Sequence, residues 1–169
     1  MSPNPVNPDA APQVSVELSP MTPRELGTYL GHAKADYVQQ RIEFGGESAD
    51  DAAAAAERDF GELFPGGEPA KNQYLFTARD AGGERVGLLW LAKRERFDQQ
   101  YVWIYDIHID ESRRRQGCGR ALMAYAERWT KEHDMSEIVL NVFGGNTSAR
   151  QLYLELGYVE RAVTMSKKL

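Results

Sequence analysis

Three strand-like runs follow one another in the middle of this 169-residue chain, and they constrain its fold more than any other feature. Tyr74–Arg79 and Arg85–Lys93 flank the turn-forming stretch Asp80–Gly83, so they predict a hairpin. Tyr101–Ile109 follows, and simple alternation puts Tyr101, Trp103, Tyr105, Ile107 and Ile109 on one face. A sheet built this way has apolar faces that must be covered, and the flanking sequence supplies helices to cover them.

Thr22-Pro23-Arg24-Glu25 is a helix start, with Thr22 as cap, Pro23 in the first turn and Glu25 able to reach back. The helix runs to about residue 43 and stops at Gly45-Gly46. Ser48 opens a second helix through the alanine run 52–56 to about residue 64. A third is marked by Ala121, Leu122, Tyr125, Ala126 and Trp129, and a fourth by Ala149, Leu152, Tyr153 and Leu156. Short strands are expected at 13–18, 137–142 and 158–165. The order implies an α/β (α+β) fold: a mixed sheet with helices on its faces. Residues 1–12, rich in Pro, Asn and Ala, read as a floppy tail. Residues 13–169 read as one domain, without linker or repeat.

Composition excludes several classes. The 20 Lys and Arg against 25 Asp and Glu leave a net charge of -5, which disfavours a general nucleic-acid binder. One cysteine, Cys118, allows no intrachain disulfide and no cysteine-based zinc site. His32, His108 and His133 form no recognisable ligand spacing, so no metal is expected. No apolar run approaches the ~20 residues of a membrane span, and the start lacks a signal-peptide pattern. These features predict a cytoplasmic protein. Residues 1–70 carry 12 acidic side chains against 4 basic ones, whereas residues 71–169 carry 13 against 16. The split predicts two surfaces of opposite character.

The basic side is concentrated in Arg113-Arg114-Arg115-Gln116-Gly117-Cys118-Gly119-Arg120, between a strand and a helix. Glycines permit a tight turn, helix-start amides and the helix dipole favour an anion, and arginines add charged donors. The segment reads either as a phosphate cradle or as a basic glycine turn. It is not a P-loop, because G-x-x-x-x-G-K-[ST] is absent. A dinucleotide loop fails because Leu122 stands where the third glycine belongs.

Arg114-x-x-Gly117-x-Gly119 resembles the R/Q-x-x-G-x-G/A signature of the GNAT superfamily, the Gcn5-related N-acetyltransferases. Tyr105–Asp110 is similar to the strand preceding that signature. Leu140-Asn141-Val142, then Asn146-x-x-Ala149-x-x-Leu152-Tyr153-x-x-x-Gly157-Tyr158, is similar to the family's second block. The resemblance implies a twisted, mostly antiparallel sheet of about six to seven strands, with splayed central strands and helices on both faces. It implies acetyl-CoA as co-substrate. Main chain at Arg115, Gln116, Gly117, Cys118, Gly119 and Arg120, with Arg114 beside it, would hold the pyrophosphate. Main chain at Ile107, His108 and Ile109 would align the pantetheine arm like an added strand. Asn146 corresponds to a CoA-contacting Asn, although it also suits a helix cap. Tyr153 corresponds to the acid that protonates the leaving thiolate.

The general base is less well marked. Some relatives carry Glu where this chain has Asn141, and an amide cannot take a proton. Asp106 is the leading substitute, on the face opposite Tyr105 by simple alternation; His108, Glu43 and Glu47 are weaker candidates. A Cys118 nucleophile is disfavoured. The resemblance therefore implies an N-acetyltransferase acting by direct attack of a primary amine on the thioester. The acidic first 70 residues point to a cationic acceptor, either a small molecule or a peptide amine. A homodimer is expected by analogy. The competing readings are a non-catalytic acyl-CoA-binding or sensing module, and a plain nucleotide-binding domain.

Overall fold

The computed structural model describes residues 14–165 and 167, so the predicted tail at 1–12 lies outside the described residues. Five strands form one sheet in the order β1 (Val16–Pro20), β2 (Gln73–Asp80), β3 (Arg85–Arg96), β4 (Gln99–Ile109) and β5 (Ile138–Leu140). The first four pair antiparallel, and β5 runs parallel to β4. The helices are α1 (Pro23–Gly45), α2 (Ala49–Leu63), α3 (Cys118–Glu132) and α4 (Thr147–Glu155).

Local chemistry sets the helix ends as the residues suggest. The Thr22 hydroxyl accepts from the Glu25 amide at 3.3 Å, and the Glu25 carboxylate accepts from the Thr22 amide at 2.8 Å. This reciprocal pair satisfies two amides that the helix itself leaves unpaired. Gly46 ends α1 in the left-handed region at φ 70. In α2 the alanines do more than favour helix: Ala52, Ala55 and Ala56 are buried.

Two apolar layers sandwich the sheet. Leu89, Leu91, Val102 and Ile104 meet Leu122, Met123 and Trp129 of α3 and Tyr153 of α4. On the other side Leu75, Leu88 and Trp90 meet Leu26 and Tyr29 of α1 and Phe64.

Three expectations are corrected. The sheet has five strands among the described residues, not six to seven. Residues 158–165 form no strand, and Val159, Val163 and Met165 are exposed. Their alternation resembles a strand, but Arg150–Glu160 and Arg161–Glu137 ion pairs tether the segment beside β5 without a ladder. Finally, β4 does not alternate throughout. Trp90 pairs with Asp106 and Leu91 with Ile104, which leaves Tyr105 as an extra residue. The bulge reverses the phase of the strand. Tyr105 therefore faces the α1 layer, while Ile107 and Ile109 face the α3 layer.

Candidate active site

The sheet opens where β4 leaves β5. β5 pairs only with Val102–Ile104, so among the described residues β4 from Tyr105 to Ile109 has no strand partner on that side. The Asp110 amide donates to the Val86 carbonyl on β3 at 3.0 Å. Main-chain groups alternate in direction along a strand, so those of Asp106 and His108 also face β3. Those of Ile107 and Ile109 face the open edge. An unpaired edge of this kind can bond an extended, amide-bearing ligand. One of its acceptors is already engaged, because Arg114 Nε donates to the Ile109 carbonyl at 3.1 Å.

The same edge leads to the start of α3. Gly117 caps that helix in the left-handed region at φ 86, and among the described residues no side chain caps the first amides. These free donors and the positive end of the helix dipole suit an anion. Arg115 reaches its place at φ 61, a conformation that side chains other than glycine rarely adopt. The two signature glycines have different reasons. Gly117 supplies the turn, whereas a β-carbon on Gly119 would stand 3.1 Å from Leu152 Cδ2, so Gly119 lets α3 approach α4.

The other loop side chains are placed as follows. Gln116 Nε2 donates to the Ser112 carbonyl at 2.9 Å, and Arg120 pairs with Glu155. The Cys118 side chain lies in the core at 2% exposure, so only its main chain can serve a ligand. Asn146 caps α4, its side-chain oxygen accepting from the Ala149 amide at 3.2 Å. Asn141 directly follows the last residue of β5.

Tyr153 is buried on the inner side of α4, its ring 5.9 Å from that of Tyr158. Burial, with the nearby Asp106 charge, pushes its phenol up to about 12. It is therefore a neutral O–H at any physiological pH, the form that can give a proton. The Tyr158 hydroxyl is buried without a hydrogen-bond partner among the described residues.

Across the sheet, a cavity of about 410 Å³ lies between α1, α2 and the exposed face of β3 and β4. Asp106 lines it, and the Tyr29 hydroxyl donates to Asp106 Oδ2 at 3.0 Å. Burial raises the Asp106 carboxyl above its ordinary value of 3.8, only partly opposed by the Tyr29 hydrogen bond. The bulge puts Asp106 on the same side as Tyr105, not the opposite one, and both line the cavity. Trp90 and Tyr105 stack at 4.5 Å to form an aromatic wall, and Asp36 and His108 also line the space.

Sequence reasoning missed Tyr29, Asp36, Trp90 and Tyr105 as members of this site. Tyr29 sits on the apolar stripe of α1 and reads as core; only the tertiary pairing reveals its carboxylate partner. Glu43 and Glu47 do not line the cavity, and Glu47 pairs with Arg41 at 2.8 Å. Among the described residues no group of three His, Cys, Asp or Glu side chains could hold a metal, and no helix is long and apolar enough to cross a membrane.

Comparison with known proteins bears on this geometry. The chain is 28% identical over 156 residues to the uncharacterized N-acetyltransferase YycN of Bacillus subtilis (strain 168), covering 92% of this chain and all of that protein. The crystal structure of YycN superposes with a TM-score of 0.83 over 92% of this chain and 99% of that one. An acetyltransferase structure from Pyrococcus furiosus matches with a TM-score of 0.64 at 25% identity, over 92% of this chain and all of that one. The model of the acetyltransferase (GNAT) family matches residues 35–158, which include Asp36 and Asp106 of the cavity, the open edge, the glycine turn and Tyr153, and the chain belongs to that family.

Proposed function

We propose that this protein is a cytoplasmic, acetyl-CoA-dependent N-acetyltransferase that acts on a primary amine. One observation carries the reading: the unpaired edge at Ile107 and Ile109 runs into the uncapped start of α3. An extended arm with a diphosphate at one end fits that arrangement. The edge bonds the arm, and the amides around Gly117 meet the anion. Arg115, exposed beside them, adds charge.

Bound acetyl-CoA would supply an activated acyl carbon, which the acceptor nitrogen attacks with loss of the thiolate. The residues of the chain manage the protons. Asp106 takes one proton from the acceptor ammonium and so frees the attacking lone pair. Outward main-chain N–H groups of β4 stabilise charge building on the carbonyl oxygen. Tyr153 gives its proton to the departing sulfur as the C–S bond breaks and the C–N bond forms. The second proton lost by nitrogen restores the phenol through solvent. With Asp36, Asp106 and the stacked Trp90 and Tyr105 all lining the cavity, the favoured acceptor is cationic.

The test is thiol release from acetyl-CoA over a panel of cationic, neutral and anionic amines. Turnover that favours the cationic members is expected. Binding of acetyl-CoA with no turnover on any amine would instead indicate a sensing module. No binding at saturating acetyl-CoA would end the reading.

A further inference from the structure

Building on the assignment of Asp106 as proton acceptor, we propose that Tyr29 is its positioning residue: the buried phenol pins one carboxylate oxygen and leaves the other for the incoming amine. The hydroxyl donates to Asp106 Oδ2 at 3.0 Å from α1, 77 residues away in sequence. The Tyr29 ring is 5% exposed and is held edge-on by two neighbours, Trp90 at 6.2 Å and His32 at 5.9 Å. It cannot swing away without disturbing the layer under α1. A carboxylate held at one oxygen has lost its rotational freedom about χ2, so the other oxygen meets the acceptor in one orientation.

Chemistry reinforces the geometry. Burial, and then the Asp106 charge, push the Tyr29 phenol far up, so it remains a donor throughout the working range. A donated hydrogen bond favours the ionised carboxyl and opposes the effect of burial. Other groups face the same carboxyl. On β4 itself the Ile107 amide also hydrogen-bonds the carboxyl and His108 acts on it, as do Asp36 of α1 and Tyr153 of α4, while His32, Asp59 of α2 and Arg85 of β3 line the same cavity. Asp59 is already engaged by Tyr37 at 3.0 Å and by Arg41 at 3.6 Å. Asp36 disfavours ionisation, whereas His108 and the Ile107 amide favour it; among the described residues Tyr29 is the side chain that hydrogen-bonds the carboxyl.

The experiment uses the full chain without ligand. Aspartate carboxyl carbons are labelled with carbon-13, and the Asp106 signal is identified by its loss in Asp106→Asn. In Tyr29→Phe its titration midpoint should rise by about one pH unit, a tenfold change in the ionisation constant. The acid-side inflection of kcat/KM, measured with acetyl-CoA and the fastest amine of the panel, should rise equally. A merely structural tyrosine would lower thermal stability or the rate at every pH and leave the midpoint in place. An unmoved midpoint in a folded Tyr29→Phe protein overturns the proposal. If the midpoint moves but Asp106→Asn keeps wild-type turnover, Tyr29 does hold the carboxyl, and it is the base assignment of Asp106 that falls.

Discussion

A β-carbon on Gly87 would stand 2.1 Å from the carbonyl oxygen of His108. The neighbour is main chain, so it cannot turn aside as a side chain could. Gly87 thereby sets how closely β3 approaches the stretch of β4 that carries the open edge. Gly87→Ala should cost about 2 kcal/mol through forced separation of the strands, lowering Tm by roughly 4–8 °C. Acetyl-CoA affinity should fall with it. Thermal unfolding and calorimetric binding check both, and an unchanged Tm would show that the strands can part there at no cost.

Tyr153 stays protonated because burial and the Asp106 charge hold its phenol near 12. Tyr153→Phe removes the proton and little else. The expected result is a fall in kcat of about a hundredfold or more, with acetyl-CoA affinity within about threefold of wild type. A variant that turns over normally would remove Tyr153 from the acid role.

Burial of Asp106 has a cost in stability, and its sign can be worked out. Its folded carboxyl lies above the ordinary 3.8, so the folded state prefers the protonated form. Below 3.8 both states are protonated and there is no penalty. The penalty grows as pH rises through 3.8 and is complete above the folded value. Asp106→Asn should therefore raise Tm at pH 7, and the gain should shrink toward pH 4, while activity falls. Paired melts at the two pH values decide it; a gain that is equal at both, or a loss at pH 7, contradicts the argument.

Arg115 combines a strained backbone with a useful charge. At φ 61 a glycine would sit without penalty. Arg115→Gly should thus stabilise the fold slightly, by up to about 1 kcal/mol, and weaken acetyl-CoA binding about three- to tenfold. Denaturant midpoints and binding constants measured together separate the two effects. Tighter binding would place the anion elsewhere.

Cys118 should prove inert. Its thiol is packed with Leu122 and Met123, so a thiol reagent should leave the native protein unmodified and react only after unfolding. Cys118→Ala should keep turnover within about twofold and lose about 1 kcal/mol. Rapid native labelling would show that the core opens there.

Much of this arrangement was legible in the residues. The capping pair Thr22–Glu25, the hairpin at Asp80–Gly83 and the glycine turn each rest on contacts only a few positions apart. So does the stripe of α4 that carries Tyr153. What escaped has either no local mark or a distant partner. The β3–β4 turn is made by Phe97 and Asp98 at φ 51 and 61, without the glycine or asparagine that would announce it. The bulge at Tyr105 has no local mark either, since a strict alternation over 101–109 fits the letters well. The tyrosine–carboxylate pair needs both α1 and β4 in place before it exists.

The extra residue in β4 gives the two sides of the sheet separate inventories. On the proposed reading, side chains from α1, α2, β3 and β4 dress the acceptor hollow, while main chain from β4 and α3 forms the opposite grip. Amine preference would then drift by ordinary point substitution in the first 70 residues, and the handling of the acyl carrier would not need to change with it.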